Sequence, residues 1–135
     1  MTTTAVLDAN VILRLLLNDH ETLTPAAMKM FQRAETGDLS LILTPLIVAE
    51  CCYVLRGPVY RIERSAITDS LPQVILMDGI VTEEEGVVLA ALRRFGERSV
   101  DFADAYLAEL AHQRGWEVAS FDHDFKALGG SDLPE

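Results

Sequence analysis

The chain has 135 residues, of which half are apolar and about a quarter are charged. Eleven Lys and Arg stand against 21 Asp and Glu, so the net charge is −10. This length predicts one domain over residues 1–135, and a chain of this size buries about 70% of the surface that its unfolded form exposes. The composition excludes intrinsic disorder, and the acidity excludes a protein that holds nucleic acid through a general basic coat.

Neither export nor membrane insertion is expected from the sequence. The N-terminus has no basic segment and no small-residue cleavage site, so we expect no signal peptide. The longest apolar stretches, 11–17 and 46–55, fall short of the roughly 20 residues that span a bilayer. Cys51 and Cys52 are adjacent and poorly placed to pair with each other, which predicts free core thiols. We therefore expect a cytoplasmic protein that does not associate with membranes.

Strands and helices alternate along the first half of the chain. Thr24–Pro25 and Thr44–Pro45 each have the form that opens a helix, because Thr caps the first turn and Pro fits the first helical position. Gly37 ends the helix that begins at the first of these pairs. The predicted elements are, in order, strand 4–7, helix 9–17, helix 25–36, strand 39–43 and helix 45–56.

The second half continues the same alternation. Its predicted elements are helix 61–71 ending near Pro72, strand 74–77, helix 83–95, helix 101–114 ending at Gly115, strand 116–119 and a short helix 122–128. Strands that alternate with helices indicate an α/β fold, here a three-layer α/β/α domain with a central, mainly parallel sheet. In such sheets ligands bind beyond the carboxyl ends of the strands.

Acidic residues occur where the chain returns to that edge of the predicted sheet. Asp8 directly follows the first strand, and Glu50 lies in the helix after the second. Asp101 and Asp104 open the helix that leads into the fourth strand, and Asp122 lies just beyond that strand. Four segments can thus bring carboxylates together.

Several of these acids also have a structural interpretation. Asp8 is a suitable N-cap for the helix that follows it. Asp101 and Asp104, three residues apart, match an N-cap and a first-turn acid, which is the better interpretation for Asp101. Asp122 and Asp124 flank His123 in a segment where one of the two is expected to be a turn residue.

Glu50 is harder to explain structurally, because it interrupts the apolar helix 46–55. A helix that is apolar all round is buried, so we expect a buried carboxylate there, at a cost of several kcal/mol unless it is paired or bound to metal. Converging acids would also repel one another. A hard divalent cation removes that conflict, and Mg²⁺ or Mn²⁺ prefers oxygen ligands. The three His residues show no spacing typical of a zinc site.

Four segments of the chain resemble a PIN-domain ribonuclease, and more closely the toxin of a VapBC-type toxin–antitoxin pair. These segments are Val6–Arg14, Thr44–Leu55, Asp101–Ala108 and Ala119–Phe125. The resemblance makes Asp8, Glu50, Asp104 and Asp122 the four metal-binding catalytic acids. Asn10 matches a polar residue beside the first acid, and Asp101 and Asp124 are additional acids of uncertain rank. Ala9 replaces the usual Thr, whereas Ser120 replaces a Thr and keeps its hydroxyl.

The resemblance implies a Mg²⁺- or Mn²⁺-dependent endoribonuclease that cleaves RNA phosphodiester bonds, forms a homodimer and is held by a cognate antitoxin. Seven arginines are candidates for gripping phosphates, although a solvated helix face is the better interpretation for most of them, and Arg14 is also a candidate ion partner. They are Arg14, Arg56, Arg61, Arg64, Arg93, Arg94 and Arg98.

Three other functions compete with this interpretation. A receiver domain would use Asp78 at the end of the predicted strand 74–77 as its phosphoacceptor, but it requires two adjacent acids after the first strand, and Ala9 follows Asp8. A phosphatase with Asp8 as nucleophile would require an acid at position 10, where Asn10 stands. A non-catalytic binding module of the same fold is the third alternative, and the intact set of acids argues against it.

Overall fold

A computed structural model describes residues 1–121 and residue 125 of this chain. Within these residues six helices pack with a three-stranded sheet, which confirms the predicted three-layer α/β/α fold class. The elements are β1 (Thr3–Val6), α1 (Ala9–Leu17), α2 (Leu23–Glu35), β2 (Leu39–Leu43), α3 (Pro45–Arg56), α4 (Arg64–Ile75), β3 (Ile80–Thr82), α5 (Glu85–Glu97) and α6 (Phe102–Arg114).

The described sheet is entirely parallel, in the order β1–β2–β3. Leu41 at its centre pairs with Ala5 of β1 and with Ile80 of β3. A parallel connection requires a crossover, which α1 and α2 provide between the first two strands and α3 and α4 between the next two. The ends of β1 and β2 therefore deliver α1 and α3 to the same edge of the sheet.

Helix starts follow the predicted capping chemistry closely. The Thr44 hydroxyl accepts a hydrogen bond from the amide of Ile47, and Pro45 occupies the first turn of α3. Helix α2 departs from the prediction, because Thr24 lies inside it and is buried. There the Thr24 hydroxyl donates to the carbonyl of Arg14 and accepts from the amide of His20, so it ties α2 to α1.

The prediction of a strand over residues 74–77 is wrong, because α4 continues to Ile75 and β3 lies at Ile80–Thr82. Ile67, Leu71, Val74 and Ile75 recur at helical spacing and are all buried. Burying each such side chain is worth about 1.5–3 kcal/mol, and together they outweigh the cost of about 3 kcal/mol for Pro72 inside the helix.

The predicted strand 116–119 is reduced to an isolated bridge at Val118 in the part of the chain that the structure describes. Glu117 and Ala119 on either side are exposed, so only Val118 of the three contributes to a buried cluster. The predicted helix 122–128 lies outside the described residues apart from Phe125.

The main core lies between the sheet and the helices, and it includes both cysteines, which are free and buried as expected. The adjacent thiols Cys51 and Cys52 pack among fully buried side chains such as Ile12, Leu43 and Leu92. No helix among residues 1–121 is long and apolar enough to cross a bilayer.

Candidate functional site

Asp8 stands at the junction between β1 and α1, where the sequence places the first acid. Its side chain accepts a hydrogen bond of 3.2 Å from the amide of Asn10 and caps α1. The interpretation of Asp8 as a helix cap is therefore confirmed. Asp8 can still bind a ligand, because one carboxylate oxygen suffices for the cap and both Asp8 and Asn10 are exposed.

Glu50 is exposed, so the prediction that it is a buried carboxylate is wrong. The reason is that α3 lies at the surface although most of its residues are apolar. It buries Val48, Cys51 and Leu55 and turns Leu46, Glu50 and Tyr53 outward. Leu46 and Tyr53 are 76% and 82% exposed, which leaves a partly apolar surface around Glu50. Because the Glu50 carboxylate is exposed to water, it does not need a cation to compensate for burial.

The Glu50 and Asp8 carboxylates act on the same buried thiol. Burial, and after it the charges of Glu50 and Asp8, raise the pKa of Cys51 to about 12. Glu50 is the sequence neighbour of Cys51, whereas Asp8 belongs to the junction of β1 and α1. The parallel order of β1 and β2 places both junctions, and with them the first two predicted acids, at the same edge of the sheet.

Asp101 and Asp104 stand at the beginning of α6. Asp101 is the N-cap residue and is exposed, and Asp104 is half-buried in the first turn. Negative charge is favourable at a helix N-terminus, so both positions agree with the structural interpretation, although the Asp101 side chain makes no capping hydrogen bond. Asp101 also faces a cation, because its charge opposes the lowering of the pKa of Arg64 by burial and by Arg56.

A cavity of about 650 Å³ connects these elements. We call it the α3–α6 cavity; its lining includes Leu46, Glu50, Tyr53 and Arg56 of α3 together with Arg64 and Asp101. Its walls are mainly apolar, with contributions from Phe95 near the end of α5 and Phe102 at the beginning of α6. The second predicted acid and the beginning of α6 therefore line one concave surface.

Most of the candidate phosphate-binding arginines hold the fold instead. Arg14 pairs with Asp19 at 2.8 Å and with the Tyr60 hydroxyl, which confirms its predicted role as an ion partner. Arg94 pairs with the buried Glu109. Arg56 and Arg61 each donate one hydrogen bond to a backbone carbonyl.

Arg64 is a residue whose role the sequence did not indicate. Its Nη1 donates to the carbonyl oxygens of Phe95, Arg98 and Val100, which lie at the end of α5 and in the loop before Asp101. Its guanidinium also lies 4.4 Å from the centroid of the Phe95 ring. The sequence does indicate that donors are needed, because the last carbonyls of a helix have no partner within the helix. It does not indicate which distant residue supplies those donors.

The receiver-domain alternative is wrong on structural grounds. It requires a strand that delivers Asp78, but Val74 and Ile75 belong to α4, and Asp78 is exposed in the turn before β3. Asp78 therefore does not stand at the carboxyl end of a strand.

The chemistry of the donor set fits a hard divalent cation. Asp8, Glu50 and Asp104 offer only carboxylate oxygens, the ligands that Mg²⁺ and Mn²⁺ prefer. Within residues 1–121 and 125, however, no three His, Cys, Asp or Glu side chains are grouped so that they could hold a metal ion. Ser120, one residue before the end of the continuously described range, is half-buried. The remaining predicted residues, Asp122 and Asp124, lie outside the described residues.

Comparison with known protein families supplies the identity of the fold. The sequence model of the PIN domain matches residues 5–131, nearly the whole chain. Comparisons with curated proteins and with solved structures give no significant match. PIN domains are generally metal-dependent nucleases. A match of this extent, on an α/β/α fold with one acid directly after β1 and another within α3, shows that the chain belongs to the PIN domain family.

Proposed function

We propose that this protein is a Mg²⁺- or Mn²⁺-dependent endoribonuclease. The observation that carries the proposal is that Asp8 follows β1 and Glu50 lies on the helix after β2, at the same edge of a parallel sheet in a PIN fold, while Glu50 and Asp101 line one cavity. Carboxylates collected at one edge of a sheet are suited to bind a cation and would repel a phosphate without one.

Asp8, Glu50, Asp104 and Asp122 would hold the ion or ions. When bound, a divalent cation supplies an acidified water and stabilises charge on the phosphate that is cleaved. The chain itself fixes the ligands. The cap at the start of α1 holds the Asp8 carboxylate, and the first turn of α6 holds Asp104.

Four further residues have supporting roles in this proposal. Asn10 and Ser120 would orient a carboxylate or a water through their polar side chains. Asp101 and Asp124 would add negative charge beside the ligands and so favour cation binding.

We further propose that the protein is the toxin of a type II toxin–antitoxin pair, built as a single domain over residues 1–135, and that it acts in the cytoplasm as a homodimer. Support comes from the resemblance of its four acid-bearing segments to such toxins. Its partners would be the RNA substrate and a cognate antitoxin. A small antitoxin-like reading frame directly upstream of the gene would support this assignment, whereas its absence would favour a solitary nuclease.

Asp8→Asn separates the structural role of Asp8 from the proposed one. Asn caps helices about as well as Asp, so we expect the free energy of unfolding to change by less than about 0.5 kcal/mol. Mn²⁺ binding, measured by calorimetry, should weaken strongly, and cleavage of single-stranded RNA should be lost. Asp104→Asn should behave similarly, whereas Asp78→Asn, at an exposed acid remote from the site, serves as the control.

Retained cleavage in both Asp8→Asn and Asp104→Asn would refute the assignment. The non-catalytic binding module predicts a different pattern, with no cleavage by the wild type and no dependence of Mn²⁺ binding on Asp8.

A further inference from the structure

The α3–α6 cavity has a chemical character that the proposed metal site does not use. It combines apolar walls with an exposed aromatic ring and two guanidinium groups, from Tyr53, Arg56 and Arg64. Its volume of about 650 Å³ lies in the range of about 300–1,000 Å³ that accommodates small organic ligands. The lining also contains the carboxylates of Glu50 and Asp101, so the charges of the cavity balance as a whole. An anionic group with a flat apolar part fits its Arg56 end, six residues along α3 from Glu50.

The aromatic ring of Tyr53 is exposed at the surface and is not part of the core. Its side chain is 82% exposed, and within residues 1–121 it makes no ring stacking or cation–π contact. Glu50 and Tyr53 are three residues apart on α3, as are Tyr53 and Arg56. Residues at this spacing are surface neighbours on a helix, and they rise by about 4.5 Å along the axis. A ligand that leaves Glu50 along α3 therefore meets Tyr53 and then Arg56.

The two guanidiniums differ in how much of their binding capacity is engaged. One nitrogen of Arg64 donates to three carbonyl oxygens, and its guanidinium lies over the Phe95 ring. The negative charge of Asp101 also acts on this guanidinium. Arg56 is exposed and donates one hydrogen bond of 3.2 Å to the carbonyl of Ile62. No carboxylate pairs with Arg56 among the described residues. A guanidinium has five N–H donors, so Arg56 retains donors for an anion.

We propose that the α3–α6 cavity is a subsite for one nucleotide of a single-stranded RNA, next to the phosphate held at the acidic site. The base stacks on Tyr53, and Arg56 binds the phosphate of that nucleotide. Aromatic stacking and guanidinium–phosphate contacts are the usual means of holding single-stranded nucleic acid. The subsite deepens the proposed nuclease function and rests on it for its location beside Glu50.

Binding of a short, labelled single-stranded RNA tests the subsite directly by fluorescence anisotropy. Millimolar calcium is present to neutralise the carboxylates through their oxygens, and gel electrophoresis verifies that the RNA stays intact. Loss of one base stack corresponds to a fall in affinity of about 5- to 150-fold, which is the result expected for Tyr53→Ala. Tyr53→Phe keeps the ring and should restore most of the affinity lost in Tyr53→Ala. Trp116→Ala removes another exposed aromatic, outside the cavity, and should have no effect.

Arg56→Ala should weaken binding and reduce the slope of log K against log salt by about 0.7, the value for one lost phosphate contact on a single strand. Arg33→Ala, which removes an exposed arginine on α2, is the charge-matched control and should leave the slope unchanged.

Two results would overturn the subsite. One is wild-type protein that does not bind the RNA at all, and the other is affinity that does not change in Tyr53→Ala. If the sedimentation mass of Tyr53→Ala also changes in the second case, a second copy of the chain covers the cavity.

The two proposals can fail separately. Metal-dependent cleavage that requires Asp8 but is insensitive to Tyr53→Ala would remove the subsite and leave the nuclease. RNA binding that requires Tyr53 and Arg56, without cleavage by the wild type under any metal, would remove the nuclease and leave an RNA-binding cavity.

Discussion

Removing the Arg64 side chain tests whether one guanidinium holds the approach to α6. Nη1 of Arg64 lies 3.0 Å from the Phe95 carbonyl oxygen and 3.1 Å from that of Arg98, and it also donates to Val100. This nitrogen carries two hydrogens, so the three acceptors share about two full hydrogen bonds. Those bonds close the C-terminus of α5 and order the loop that ends at Asp101.

The magnitude follows from these contacts. Hydrogen bonds from a charged donor contribute about 1.5–3 kcal/mol each, and the contact of Arg64 with the Phe95 ring adds about 0.5–1 kcal/mol at a partly exposed position. With two bonds at the lower end of that range, because Arg64 is only half-buried, Arg64→Ala should lower the free energy of unfolding by about 3 kcal/mol. Arg64→Lys keeps the charge but not the planar fork, so about half of this loss should remain.

Urea unfolding followed by circular dichroism measures the loss, and hydrogen exchange of the amides between residues 98 and 104 shows whether the loop opens. Arg93→Ala, at an exposed neighbour on α5, is the control and should stay within about 0.5 kcal/mol of the wild type. A loss below about 1 kcal/mol for Arg64→Ala, with unchanged exchange in the loop, would refute the reasoning, because water would then satisfy the three carbonyls.

The remaining predictions concern the fold around the site. Gly79→Ala should cost more than about 3 kcal/mol, because Gly79 has φ +84° and an added Cβ would lie 2.2 Å from a backbone oxygen of α2; Gly115→Ala, at φ +68° in open space, should cost only about 1 kcal/mol by urea unfolding. Thr24→Val should cost about 1–3 kcal/mol, since it removes the acceptor of the His20 amide, and Thr24→Ser should not; the Arg14 carbonyl keeps the amide of Asn18 as a donor. The raised pKa of Cys51 keeps its thiol protonated in the folded state while the unfolded thiol ionises, so between about pH 9 and 12 its contribution to stability should fall by about 1.4 kcal/mol per pH unit. Cys51→Ala should make the slope less steep by that amount, while the buried Cys52 thiol, whose pKa is also raised, keeps its own contribution. An equal slope in both proteins would contradict the assignment.

Local chemistry accounts for what the sequence predicted well. The first helix was predicted over 9–17 and is observed there, because Asp8 caps it and Asn18 ends it in a left-handed conformation. The helix after Thr44–Pro45 likewise begins where a Thr hydroxyl meets a free amide. These signals act over three or four residues, so one sequence contains them in full.

Tertiary packing accounts for what it missed. The exposure of Glu50 depends on which side of α3 meets the core, and a nearly uniform apolar helix does not mark that side. The run from Val74 to Met77 is compatible with a strand or with a helix, and only packing of α4 against the core decides between them. The role of Arg64 depends on carbonyls more than thirty positions away. In each case the deciding partner is remote in sequence.

The distribution of cations bears on how so acidic a protein can act on a polyanion. Arg14, Arg94 and Arg114 are committed to carboxylates, and Arg64 is committed to the backbone, so these charges stabilise the fold and are not available to a nucleic acid. A phosphate that approaches the α3–α6 cavity meets Glu50 and Asp101 as well as Arg56, so a cation bound at the carboxylates and Arg56 are the two points of attraction there. Attraction at these two points involves few phosphates, so the contribution of the cavity to RNA binding should depend only weakly on salt. Selectivity would then come from the nucleotide that fits between those points, beside Tyr53, and not from charge.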